Sequence, residues 1–284
     1  MLSRIPPVWL VVAGILSVQL GAGIAKNLFD DADPTTLVWL RLATSAVILA
    51  AVARPALRGR TTDDWQVAVA FGVTLGVMNW AIYQSFARIP LGIAVTIEFL
   101  GPLALAVLGS RRPRDLVWAL LAGIGVALLG LEPGEVTWAG VGFALLAAAA
   151  WAAYILLSAS TGRRWPGLEG LAVASVVATV MLTPFLLAFS GRGLGSPHVL
   201  LAGALVGLLS SVIPYSCELT ALRTIRPSVF SILMSLEPAA AALVGVVVVH
   251  EYLTGSQWLA VACVVVASVG ATRSESRLAA PVVD

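Results

Sequence analysis

The chain is short of charge, lysine, cysteine and histidine, and each shortage excludes something. Only 11% of its 284 residues are Asp, Glu, Lys or Arg, while 59% are hydrophobic. Soluble domains carry roughly 25% charged residues. A chain of this size cannot hide so much apolar surface from water, so its solvent is lipid. Basic residues are neither abundant nor clustered on one soluble face, and the net charge is only +2; nucleic acid is excluded as a partner. The two cysteines, Cys217 and Cys263, lie in apolar runs without CxxC spacing. They imply neither a disulfide framework nor a zinc site. The two histidines, His198 and His250, fall at helix ends with no metal spacing, so no metal, no cofactor and no enzymatic cluster is expected. Lys26 is the single lysine among 17 basic residues.

Long apolar runs are what the chain has instead. A spanning helix needs about 20 mostly apolar residues. Ten segments qualify: about 8–25, 35–53, 65–86, 91–110, 115–131, 138–158, 168–188, 198–221, 228–249 and 257–272. The linkers are short and hold Pro, Gly, Asp and Arg. Thirteen basic residues fall in the loops of one side, and Lys26, Arg88 and Arg192 in those of the other. By the positive-inside rule both termini are expected in the cytoplasm. The heavy use of Arg, Ala, Gly and Val points to a bacterial genome, hence to a bacterial cytoplasmic membrane.

Residues 89–103, IPLGIAVTIEFLGPL, and 225–239, IRPSVFSILMSLEPA, align at an offset of 136, with Pro102 on Pro238. Trp118 and Trp258 align further on. Five helices duplicated would enter the membrane from opposite sides, an inverted repeat of the kind found in transporters. The expected fold class is therefore an all-α membrane protein with ten transmembrane helices as an inverted 5+5 repeat. The expected divisions are 1–135 and 136–273, with a cytoplasmic tail at 274–284.

Three acids lie within spans, Glu98, Glu237 and Glu218, against one deep basic residue, Arg41. Glu98 sits about eight residues in from the outer end of its helix, ~12 Å deep. Ionisable residues at such depth are costly and pair or serve a pathway. Arg41 with Glu98 could be a packing ion pair; alternatively the carboxylate binds a cation or proton and the arginine an anion. Three carboxylates cannot all pair with one arginine, so at least one is expected to take up a proton part of the time. Gln19, Asn79, Tyr83, Gln84 and Tyr215 also face apolar surroundings and could line a cavity or tie helices together. Pro102 and Pro238 free a backbone carbonyl and kink their helices, either for packing or at a site. Lys26 at the outer end of the first helix either snorkels to the interface or meets a substrate carboxylate. Gly72-xxx-Gly76 and Gly203-xxx-Gly207 would let two helices pack closely.

The stretches SVQLGAGIAKNLF (17–29), GVMNWAIYQS (76–85), PLGIAVTIEFLGPLALAVLGSRRP (90–113), IPYSCELTAL (213–222) and LMSLEPAAAALVG (233–245) resemble the bacterial threonine/homoserine exporters. These belong to the drug/metabolite transporter superfamily and carry two EamA-type halves. The resemblance covers nearly the whole chain and includes Glu98, Pro102, Arg111, Arg112, Asn79, Tyr215, Glu218, Glu237 and Pro238. It implies the inverted 5+5 arrangement, a central cavity and export of small amino acids coupled to protons. Efflux of another small metabolite or a drug by the same fold is the alternative. Two departures stand out: His250-Glu251 where the superfamily often has Gly-Glu, and Ala260-Val261 without the usual glycine. Under the amino-acid reading, Glu98 or Glu237 would take the ammonium, Arg41 or Lys26 the carboxylate, and Asn79 and Tyr83 a side-chain hydroxyl.

Overall fold

A computed structural model describes residues 6–109, 116–129, 136–189, 191–214, 217, 221 and 227–276. Among the described residues the regular structure is helical. The helices are α1 (Pro7–Asn27), α2 (Pro34–Ala53), α3 (Thr62–Phe86), α4 (Leu91–Glu98), α5 (Leu100–Gly109), α6 (Leu116–Leu129), α7 (Trp138–Arg164), α8 (Glu169–Phe189), α9 (Pro197–Gly207), α10 (Pro227–Met234), α11 (Glu237–Val244) and α12 (Gly255–Ser276). Two π-helical turns, Leu208–Val212 and Gly245–Val249, extend α9 and α11. Eight helical stretches are long and apolar enough to cross a membrane, with α4–α5 counted as one stretch and α10–α11 with its π turn as another. Two shorter apolar helices, Leu116–Leu128 and Pro197–Val212, accompany them. Large apolar side chains point outward from the bundle: Leu187 is 75% exposed, Leu201 74% and Val247 71%. Only a lipid solvent makes such a surface stable.

The termini of the helices follow local chemistry. Thr61 caps α3 in a reciprocal capping box with Asp64, which satisfies two otherwise orphaned amides. Prolines open α1, α2 and α9, where the missing N–H costs nothing. The two interrupted helices break just before their prolines. Pro102 stands in the first turn of α5 and Pro238 in that of α11. Pro102 has no N–H for the carbonyl of Glu98, nor Pro238 for that of Met234, so the i→i−4 ladder fails there.

Packing pairs the helices in a regular way. α2 lies on α8, α4 on α11, and α6 on α12; α3 packs on α7 and α8, while α9 with its π turn packs on α1 and α2. Glycine makes the closest of these approaches possible. A Cβ at Gly72 of α3 would sit 2.6 Å from Val177 Cβ of α8, and one at Gly207 would sit 2.7 Å from Thr44 Cβ of α2. The two glycine motifs seen in the sequence thus serve two different helix crossings.

Opposite ends of the bundle are tied by polar contacts. At one end Arg60 pairs with Glu169 at 2.8 Å and Arg164 with Asp64 at 3.2 Å. Arg60 also stacks over Trp165, 4.2 Å from its ring centre. At the other end Lys26 pairs with Glu251.

Candidate functional site

The broken helices α4–α5 and α10–α11 meet α1, α2, α3, α7 and the π turn after α9 around a cavity of about 180 Å³. Its polar wall comes from Gln19, Arg41, Asn79, Glu98, Tyr154, Ser210 and Glu237; Met78, Ile82, Val95, Trp151 and Met234 supply apolar wall. The sequence-predicted Gln19, Arg41, Asn79, Glu98 and Glu237, drawn from five helices, come together here.

Glu98 ends α4 and Glu237 begins α11, so both carboxylates stand at helix interruptions. Among the described residues Glu98 has no ion pair within 4 Å and no hydrogen-bond partner. The packing pair with Arg41 is therefore not formed, although the arginine's charge acts on Glu98. Arg41 instead donates from Nη2 to the Ser210 carbonyl at 3.2 Å. Its Nε is buried and unpartnered. Glu237 is buried and has a partner.

Further polar atoms of the cavity wall are buried without a partner: Gln19 Oε1 and Ser210 Oγ. Buried polar groups in folded proteins are nearly always satisfied, so a cluster of orphans around one cavity marks a place that receives a polar guest or water. The Asn79 amide donates to Leu75 O at 2.9 Å, which leaves its carbonyl oxygen for the cavity. The π turn contributes as well. The carbonyl of Leu209 accepts from Ser17 Oγ at 2.6 Å and that of Ser210 from Arg41, so side chains of α1 and α2 are held against it. π-helical turns recur at functional sites for this reason.

Other expected residues lie elsewhere. Tyr83 is fully buried beside the cavity, with Arg41 5.8 Å from its ring centre. Lys26 does not reach the cavity; it pairs with Glu251 and donates to Ile89 O at 2.7 Å. Gln84 donates to Thr35 Oγ1 at 3.2 Å and ties α3 to α2. Tyr215, Glu218, Arg111 and Arg112 lie outside the described residues. Trp151, Tyr154 and Ser210 were not singled out from the sequence. The aromatic pair, three apart in the alanine run AAAAWAAY (147–154), was the available signal.

Comparison with known proteins places this chain in a family. The EamA-like transporter family model matches residues 138–273. The threonine/homoserine exporter RhtA of Salmonella typhimurium strain LT2 is 39% identical over 278 residues, 95% of this chain and 94% of that protein. The chain belongs to this transporter family. RhtA of Escherichia coli K12 is likewise 39% identical, over 96% of this chain and 95% of its own length. The uncharacterized transporter YwfM of Bacillus subtilis is 32% identical over 57% of this chain and 56% of that protein. A solved crystal structure at 21% identity superposes with a TM-score of 0.67 over 96% of this chain and 99% of the other; that likeness concerns the fold. The relatives are named as transporters, and this chain is a multi-pass membrane protein of their kind rather than an enzyme.

Proposed function

We propose that the protein exports small amino acids of the threonine and homoserine type, in exchange for protons, through ten spans arranged as two inverted halves. The observation that carries this reading is an unpaired carboxylate and an incompletely bonded guanidinium facing one small cavity. An amino-acid zwitterion presents an ammonium and a carboxylate, the complement of that pair. Size supports an amino acid over a drug: the cavity holds about 180 Å³, whereas pockets for drug-sized ligands run ~300–1,000 Å³.

The geometry supports one set of roles. Arg41, steadied by the Ser210 carbonyl, receives the substrate carboxylate, with Gln19 and Ser210 beside it. Glu98 takes the ammonium. Asn79 and Ser210 offer bonding groups to the side-chain hydroxyl. Because no other described group holds Glu98, a proton and an ammonium can each replace the other there. Entry of a proton releases the amino acid, and loss of the proton admits the next, which is the minimum an antiporter needs.

Helix pairing supports the inverted repeat. Let each helix of the first five spans exchange with its counterpart in the second five. The contacts α2·α8 and α6·α12 then map onto themselves, as does the crossing of the whole α4–α5 span with the α10–α11 span; α3·α7 maps onto α9·α1, and α3·α8 onto α9·α2. The family match at 138–273 coincides with the second half. Alternating access is then a rocking of one half on the other, with both termini cytoplasmic and the Lys26–Glu251 end outside. The test is export of labelled threonine and homoserine from proteoliposomes, with and without an imposed pH gradient. Gradient-driven movement of either supports the reading. No movement of either by folded protein would overturn it and favour another metabolite.

A further inference from the structure

A second pocket, of about 490 Å³, opens at the end of the bundle opposite the Arg60–Glu169 cluster. It is lined by Lys26, Arg88, Ile89, His250, Glu251 and Tyr252, among others. Phe86 lines both this pocket and the central cavity, so it stands between them. Above it, three chain segments are fastened at one point. Lys26, at the end of α1, pairs with Glu251 and donates to Ile89 O at 2.7 Å. The second oxygen of Glu251 accepts from the amide of Leu91, the first residue of α4, at 2.8 Å. Glu251 itself is held by its own amide, which donates to Gly245 O at 3.0 Å. Nearby, Asn27 Nδ2 donates to Val248 O at 2.9 Å. The fastening therefore joins α1, the start of α4 and the end of α11. Among the described residues, the Arg60–Glu169 and Arg164–Asp64 pairs at the opposite end of the bundle join the α2–α3 and α7–α8 connections.

We infer that Lys26 and Glu251 form the latch of an outer gate, holding the ends of α1, α4 and α11 closed over Phe86 and the central cavity. The inference rests on the transporter reading above and assigns its gate. The two side chains are positioning residues, since neither reaches the cavity. Their exposures of 13% and 22% suit a pair that water can separate and re-form. Deep burial would make the pair a permanent bond, and full exposure would make it too weak to hold three segments. Lysine suits the place. Its compact ammonium reaches a carboxylate and a backbone carbonyl at once, whereas arginine's planar fork fixes its donors in one plane.

The gate can be read without any substrate. In protein with Cys217→Ala and Cys263→Ala, Met78→Cys places a reporter thiol in the cavity wall. A membrane-impermeant maleimide is then applied separately to each face of the membrane. With Glu251→Gln or Lys26→Met, labelling from the outer face should quicken about tenfold while labelling from the cytoplasmic face slows. Glu251→Asp, which keeps the charge and shortens the reach to Leu91, should fall between. Unchanged labelling from both faces would overturn the latch. So would faster labelling from both faces together, because that is what mere loosening produces. Protection of the same thiol by threonine is a separate measurement: it tests the substrate reading and is independent of whether the latch exists.

Discussion

Glu98 and Glu237 each stand at a break in an apolar helix, yet the fold treats them differently. Glu98 closes α4, where helix carbonyls go unpaired, and its own carbonyl loses its donor to Pro102. Glu237 opens α11, where the first turn presents N–H groups, and it has a partner. Negative charge is favoured at helix starts and disfavoured at helix ends. One break therefore supports its carboxylate and the other leaves it to whatever enters the cavity. A carrier needs both: a fixed anionic wall, and one acid free to exchange ligands. The chain has two such breaks, and the position of the acid relative to each distinguishes the roles proposed for them.

Variants can break this comparison in order of effect. Glu98→Gln keeps the shape and removes the exchangeable charge. Gradient-driven threonine export in proteoliposomes should fall about 100-fold or more, more than the tenfold to 100-fold that one charged hydrogen bond of ~1.5–3 kcal/mol supplies, because coupling is lost as well as binding. Glu237→Gln removes only part of the wall. Export should fall about tenfold, mostly as a higher KM in concentration series, with gradient coupling kept. Arg41→Lys keeps the charge but loses the planar fork. Threonine affinity by calorimetry should weaken about tenfold, and binding of the amine lacking the carboxylate should not change.

The smallest effect belongs to a position away from both breaks. His250 closes the π turn with φ of 62°, the left-handed conformation that glycine adopts freely. His250→Gly should raise stability by about 1 kcal/mol, seen as a higher unfolding temperature in detergent, with export unchanged. The Gly-Glu pairing noted as usual in the superfamily is thus explained by the backbone at this turn.

Eight of the ten expected spans were legible because apolar length is decisive in a membrane, and the cavity-lining acids because a charge there stands out from every neighbour. Gln19, Arg41, Asn79, Glu98 and Glu237 all carried that contrast. Trp151 did not. In a bilayer the lipid face and the protein core are both apolar, so hydrophobic periodicity cannot say which side of α7 lines a cavity. Lys26 shows the opposite failure. Its rarity in the chain was visible, but its partner Glu251 is 225 residues away in sequence and looked like an ordinary loop acid. Only folding brings α1 and the α11–α12 connection together.

The central claim is that proton and amino acid compete at Glu98. The most direct measurement is threonine affinity against pH for the wild-type protein, Glu98→Gln and Glu237→Gln in detergent or nanodiscs. Competition at one carboxylate predicts that, in the acidic limb, the wild type and Glu237→Gln bind threonine about tenfold more weakly for each unit the pH falls. Glu98→Gln should bind weakly and without that slope. A slope that survives in Glu98→Gln and vanishes in Glu237→Gln would contradict the account and make Glu237 the exchanging acid.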